Sequence, residues 1–489
     1  MEETDGNGHK KMELDEASKV KCKFQAVYND LQKNETFELW SCDENIKDRD
    51  SLFCIFHTNI RSEEEDKQAF ELFEAKIEKI KNSNDPNKRL FCIGYRFPNN
   101  MSFNRRSKDE QTLTYDFPIY LCDAEFEGVV EFSYCTFKKS LNLSGATFRK
   151  EVLFRFNEFE GSFYPRNTKF FGNVNFRGTK FKKTDFDDDI YSADFHDTLF
   201  SDKANFHGAK FCGKTRFLDA RFVGKANFKK SYFDGKIEFY GTTFNQAEFS
   251  PVEIKDIVKF RKVVFENGEK VNFDVTNMGK VSFLDTDISR VKFAENINWG
   301  GKKGFTVHDE QELELKLKNT KSGVKNDPDL ESIKAIYRNL RENCEYRLRY
   351  DDAGQFFIRE MELKRNYSLN DDGKIVITDQ FRRNFSLTGF YRLASYGEKF
   401  RMPILLSVSV IVGAILVTLL KISSAGIIEL DHNGSLAIQN NTERIVTTFL
   451  QLRNEQLIWS DTIVKVLGVL SLGLFAIPLR RKFERKFRH

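Results

Sequence analysis

Three cysteines and one histidine near the start of the chain have the residue types and spacing of a metal site. Cys54-Ile55-Phe56-His57 is a C-x-x-H, a spacing at which one tight turn brings a thiolate and an imidazole to a single ion. Cys22 and Cys42 supply two further sulfur donors, which completes the tetrahedral Cys3His set of a structural zinc. A folded segment this small needs some such staple. A second reading stays open at this point, in which the same four residues are unliganded and the thiols are simply reduced. Catalytic zinc is not expected, because no general base stands nearby to work with a bound water.

The wider chemistry of the chain is sparse. The eight cysteines (Cys22, Cys42, Cys54, Cys92, Cys122, Cys135, Cys212 and Cys344) show no dense disulfide spacing, which fits a reducing compartment. No nucleophile and base stand at useful spacing, no phosphate loop appears, and the seven histidines, His196 and His207 among them, are dispersed. An enzyme is therefore not expected. With a net charge of +4 on 489 residues, no field of one sign points to nucleic acid as a partner.

The elements that must position the four ligands are read from periodicity. Residues 1–67 are a polar lead-in followed by the knuckle, and 68–92 (with AFELFEAKIEKIKN) form an amphipathic helix. Beyond it lies most of a supply of fifty phenylalanines. Phe206, Phe211, Phe217, Phe222, Phe228, Phe233, Phe239, Phe244 and Phe249 recur at steps of five or six, which suits neither a helix of period 3.6 nor a strand of period 2. A coil of short, sharply turned segments does suit it. Each ring points inward, and the residue two places before it also points inward and must be small: Ala204, Ala209, Thr215, Ala220, Ala226, Ser231, Thr242 and Ala247, with Ile237 straining the rule.

This phrasing resembles the pentapeptide-repeat family, with its A-(D/N)-(L/F)-x-x motif. Ala204-Asn205-Phe206 and Ala226-Asn227-Phe228 match letter for letter. The resemblance implies a right-handed quadrilateral β-solenoid, here over 93–299, with breaks near 160–168, 187–194 and 250–258. One residue added to every second repeat makes a coil of about 22 residues, and the extra residue is expected at the corners Gly213-Lys214, Gly224-Lys225 and Gly235-Lys236, where glycine permits positive φ. Eight or nine coils, stacked at about 4.8 Å, make a rod on the order of 40 Å. The knuckle ending in CIFH with a helix after it likewise resembles the N-terminal region of a subset of this family.

After Trp299 the ring period stops. Residues 300–367 read as a helical neck, a hairpin resembling one TPR-like unit that breaks near Tyr350-Asp351-Asp352. Ile333, Ile336, Leu340 and Cys344 line one helix; Ala353, Phe356, Phe357, Met361 and Leu363 line the other. Residues 368–401 mix rings and bases as an interfacial segment would. Within 402–489, Met402 to Leu420 carries no charge and Ile463 to Leu479 carries one lysine, so both are expected to cross a bilayer. Bases crowd the outer flanks, which by the positive-inside rule places both termini in the cytoplasm and the loop 422–462 outside. Small residues on both spans (Ser407, Ser409, Gly413, Gly468, Ser471, Gly473) allow close helix packing. The expectation is a mainly β, membrane-anchored scaffold in the cell membrane that binds a protein partner along its solenoid. The alternative is an oligomeric, channel-like subunit, its layout resembling the channel-like C-terminal region of many membrane members of that family.

Overall fold

The computed structural model describes residues 21–379, apart from 31–35, 46–51, 59–60, 105–111, 185–189 and a few positions between 296 and 328, and beyond them only scattered helical positions from Leu405 to Arg480. Residues 1–311 and 312–489 form two units.

The first unit is a β-solenoid. From Leu90 to Phe293, strands mostly of two residues pair in parallel with the strand one coil further on. Ala204 faces Ala226, Lys210 faces Tyr232, Thr215 faces Ile237 and Leu199 faces Arg221, so a regular coil takes 22 residues. One wall stacks nine strands, giving eight coil-to-coil steps. The expected break at 187–194 is an eight-residue insertion, because Phe163 pairs with Ala193 and Lys169 with Leu199 across an offset of 30. The expected break at 160–168 is absent: Leu141 pairs with Phe163 and Thr147 with Lys169 in unbroken register. Near 250–258 the coil shortens by one residue, Ile237 facing Val258.

The rings form four internal columns, one per wall. Phe154, Phe176, Phe206, Phe228 and Phe249 stack at 4.7–4.9 Å between centroids with planes within 5°. A second column runs through Phe137, Phe159, Phe181 and Phe211, a third through Phe195, Phe217, Phe239 and Phe260, and a fourth through Phe148, Phe170, Phe200 and Phe222. All are buried, and each fully buried ring contributes about 1.5–3 kcal/mol. On the third wall the slot before the ring is not always small, since Ile237 precedes Phe239 and Val258 precedes Phe260, all buried, yet bulk is traded in other coils. Where the centre is Phe195 or Phe217 that slot holds Ala193 or Thr215; where it is Leu143, Leu141; and where it is Pro165, the ring sits in the slot itself as Phe163. In the coil of Phe163 and Pro165 the two inward positions share one volume.

The corners correct one expectation. The six-residue steps do fall at Gly213-Lys214, Gly224-Lys225 and Gly235-Lys236, yet these glycines are not the ones at positive φ. A Cβ on Gly224 would collide with the backbone of Asp202 one coil below, and on Gly235 with that of Gly213, so glycine is needed there for close approach. The left-handed residues occupy the five-residue corners: Asp123, Tyr134, Gly145, Phe156, Asn167 and Gly178, then Asp197, Gly208, Asp219, Lys230 and Gly241, spaced by eleven on either side of the insertion. The Asn of the repeat has two tasks. Asn205 Oδ1 accepts the His207 backbone N–H and also the Asn227 amide, while Asn205 Nδ2 donates to Asn175 Oδ1, which builds a ladder of amides up one wall.

Both ends of the stack are covered. At the start, a hairpin of β1 (Gln25–Asp30) and β2 (Thr36–Ser41) lays Tyr28 and Trp40 over Phe91 and Tyr120. The helix α1 (Glu63–Lys81) begins at a Ser62/Glu65 capping box, which places its start and end earlier than the sequence reading. Its Phe73 packs edge-on against Phe97 and Phe103 of the first coil. At the far end Trp299 meets Phe293, and Ser282 donates to the buried Asp309 in α2 (His308–Asn319).

In the second unit α3 (Leu330–Tyr346) and α4 (Tyr350–Asn366) form the expected hairpin, turning at Leu348 in the left-handed region. Ile333, Ile336, Leu340, Cys344, Ala353, Phe356 and Leu363 are buried as the spacing required, with Phe357 and Met361 half-buried. Glu360 is buried among Arg338 and Arg341, each at 3.1 Å, and Lys364 at 2.7 Å. The start of the expected interfacial segment is instead an antiparallel hairpin, Tyr367–Leu369 with Ile375–Ile377. Residues 380–401, the loop 422–462 and most of the two apolar stretches 402–420 and 463–479 lie outside the described residues. Among the described residues no helix is long and apolar enough to cross a membrane.

Candidate metal centre

The four residues singled out by type and spacing come together in three dimensions. Cys22 precedes β1, Cys42 follows β2, and the turn Cys54–His57 closes on itself through the His57 N–H to the Cys54 carbonyl at 3.1 Å. Hairpin pairing therefore sets the first two ligands side by side, because Gln25 and Ser41 are cross-strand partners. All four are buried, and their ligand atoms lie within 4.8 Å of one another. Cys42 Sγ is 3.8 Å from Cys54 Sγ, Cys22 Sγ is 3.6 Å from His57 Nδ1, and Cys54 Sγ is 3.1 Å from that nitrogen. With metal–sulfur bonds of about 2.3 Å, the edges of a tetrahedron measure about 3.8 Å, so the set needs little adjustment to hold an ion.

The imidazole is oriented for the task. His57 Nε2 lies 2.9 Å from the carbonyl oxygen of Ile93, which can only accept, so Nε2 carries a proton and Nδ1 faces the sulfurs, donating to Cys54 when protonated and offering its lone pair to an ion when not. Phe24 stacks on the ring at 3.9 Å and fixes its plane. Gly94 is glycine for the same reason: it has φ +68 and a Cβ on it would strike Phe24. In the metal-free chain the Cys42 thiol donates to Cys54; that bond, working against burial and joined by His57, holds the Cys54 thiol down to about 4. Cys42, which keeps the shared proton, is pushed up, and burial raises Cys22. One thiolate is thus already favoured before a cation arrives.

Arg61 was not visible as part of this site in the sequence. Its guanidinium donates to the Ile55 carbonyl at 2.6 Å and the Arg96 carbonyl at 2.7 Å and pairs with Asp66 at 2.9 Å, tying the ligand turn to the first coil and to α1. Lys76 of α1 likewise bonds Glu44 at 2.7 Å and the Tyr95 hydroxyl at 2.9 Å. Amphipathic spacing announced the helix, but nothing local announced these contacts, which span up to 35 residues. The acidic run DFDDD at 185–189, whose carboxylates could hold a cation or simply form an exposed turn, lies outside the described residues. No family model, curated protein or solved structure matches the chain.

Proposed function

We propose that this chain is a membrane-anchored scaffold of the pentapeptide-repeat type, with its solenoid in the cytoplasm offering flat walls to a protein partner and its knuckle holding a structural zinc. The observation that carries the reading is the eight-step stack itself, whose outward side chains stand on a regular grid with one row per coil. Such a surface recognises extended or flat partners through many modest contacts. The letters A-N-F at 204–206 and 226–228 support the family reading. Membrane anchoring is supported by the uncharged 402–420 stretch, its basic flanks, and the helical positions Leu405, Val408 and Val412, which keep about half or more of their apolar surface exposed. The sulfur-rich donor set and near-tetrahedral edges favour zinc over a hard, oxygen-seeking cation. The reading is non-enzymatic.

The test is crosslinking in native membranes from photoreactive residues on the solenoid walls, followed by identification of what is captured. The expected result is a chain retained in the membrane through an alkaline carbonate wash and one protein partner recovered from wall positions. Release by the wash together with no crosslinked partner would end the proposal.

A further inference from the structure

The lengthened coil changes the outer surface of the third wall. Tyr191 lies between Phe181 and Ala193, in the stretch that holds the eight extra residues. Its ring meets the Arg216 guanidinium at 4.2 Å and the Lys214 ammonium at 4.5 Å, and its hydroxyl reaches Glu238 at 3.4 Å. Thr215 pairs with Ala193 and Ile237 with Thr215, so Tyr191 spans the next two coils. With Tyr240 and Leu218 of the same wall it bounds a cleft of about 230 Å³. Lys259 and Arg261, the register partners of Glu238 and Tyr240 one coil further on, complete the lining.

The charges of the cleft are unevenly answered. Arg216 is bound twice by the fully buried Asp194, at 2.8 and 2.9 Å, and Glu238 is held by Lys236 at 2.5 Å. Arg261 pairs with Asp285 at 3.8 Å. Lys259 makes no salt bridge among the described residues. The ring of Tyr240 has cations of its own, Arg261 at 5.9 Å and Lys262 at 5.6 Å from its centroid. A cationic guest would find both rings and the carboxylate taken, with the Lys259 ammonium against it.

We propose that this cleft binds an aryl carboxylate, a monoanion built on one aromatic ring, with its charge on Lys259 and its ring between Tyr191 and Tyr240 against Leu218. Volume and lining select the guest. A cavity of about 150 Å³ holds benzene, so the cleft's 230 Å³ takes one ring and a carboxylate. It falls below the roughly 300–1,000 Å³ of sites for drug-sized ligands. Inorganic phosphate would leave most of that space, and the apolar surface of Leu218, unfilled. A flat ring makes edge and offset contacts with tyrosines that an aliphatic acid of equal bulk does not. Two sources share this chemistry, a free aromatic acid and a protein chain ending in phenylalanine.

The inference goes beyond the scaffold reading and does not depend on it. The test uses the full chain in neutral detergent and follows the fluorine resonance of para-fluorophenylacetate, with detergent alone as the blank. The expected result is saturable binding that weakens at least fivefold in Lys259→Glu and in Tyr191→Ala and less than twofold in Lys169→Glu, an exposed lysine on another wall. All three side chains point outward, and the variants are expected to keep the parent circular dichroism. On the parent chain, which needs no variant, para-fluorobenzylamine and cyclohexanecarboxylate are expected to bind at least fivefold more weakly than the aryl acid. Binding unchanged in both Lys259→Glu and Tyr191→Ala overturns the site, and an amine or aliphatic acid that binds as well as the aryl acid overturns its chemistry. A tetrapeptide ending in phenylalanine that displaces the probe at lower concentration than phenylacetate assigns the chain terminus as the guest; the reverse order assigns the free acid.

Discussion

The shared volume of the two inward positions makes a sharp prediction at Phe163 and Pro165. Phe163 is fully buried with its ring 4.7 Å from that of Phe159, 5.4 Å from Phe154 and 5.7 Å from Phe195, so it fills the interior that a central ring fills in the next coils. Truncating it with Phe163→Ala is expected to cost about 3–5 kcal/mol, the lost transfer energy plus an uncollapsed cavity. Pro165→Phe alone places a second ring in an occupied space and is expected to cost about 1–3 kcal/mol. Independent effects would therefore sum to about 4–8 kcal/mol. The pair together, however, recreates the Ala193/Phe195 arrangement of the coil above, to which Phe163 is already paired in register. The double variant is accordingly expected within about 2 kcal/mol of the parent, a coupling of at least about 2 kcal/mol. Guanidinium unfolding of the full chain can be followed by tryptophan fluorescence at both ends of the stack, with Trp40 over the first coil and Trp299 against Phe293. Coincident transitions at the two ends license a single free energy. Losses that merely add would show that the inward positions do not exchange volume, and the packing argument would fall.

Metal analysis of the purified chain is expected to find one zinc per molecule, with Cys54→Ser and His57→Ala losing it and release increasing as pH falls, since the ligands must be deprotonated; equal zinc in wild type and Cys54→Ser would refute the site. Gly224→Ala forces apart two coil backbones and is expected to cost at least about 2 kcal/mol, whereas Gly208→Ala meets nothing within 4 Å and pays only for its φ of +67, about 1 kcal/mol. The reverse order in thermal melts would contradict the corner assignment. Glu360→Ala strands three cations beside a buried site and is expected to destabilise the α3–α4 hairpin by about 2–4 kcal/mol; a change under about 0.5 kcal/mol by helical circular dichroism would make the cluster decorative.

What could be read from the chain follows from how locally each feature is encoded. A ring every fifth or sixth residue is both the spacing of the coil and the material of its core, so periodicity and packing carry one message and the columns were legible. The corners were not, because the left-handed positions hold Tyr134, Phe156 and Lys230 as readily as Gly178 or Gly208, and the conspicuous Gly-Lys pairs serve close approach instead. The clustering of Cys22, Cys42, Cys54 and His57 was legible from residue type and a C-x-x-H. Their support was hidden, since the Ile93 carbonyl carries no side-chain signature and Phe24 looks like any core ring. Glu360 meets Arg338 and Arg341 only once the rotation of two helices about each other is known.

The position of the knuckle follows from the energetics of a stack. An inner coil bonds to a neighbour on each side, while the first coil, beginning at Leu90, has a coil on one side only and would expose its strand edges and, without the hairpin, the ring of Phe91. A hairpin of two six-residue strands is marginal by itself and cannot hold that cover in place. An ion bound by Cys22, Cys42 and the Cys54–His57 turn would hold the hairpin closed, and the His57–Ile93 bond locks it to the coil it covers. An ion placed between inner coils would duplicate bonds already made there; at the end it would supply the constraint that the missing neighbour cannot. The same reasoning predicts that zinc removal unfolds the stack from its Trp40 end first, with Trp299 fluorescence changing later. Loss of the Trp299 signal before that of Trp40 on chelation would show that the knuckle does not guard the first coil.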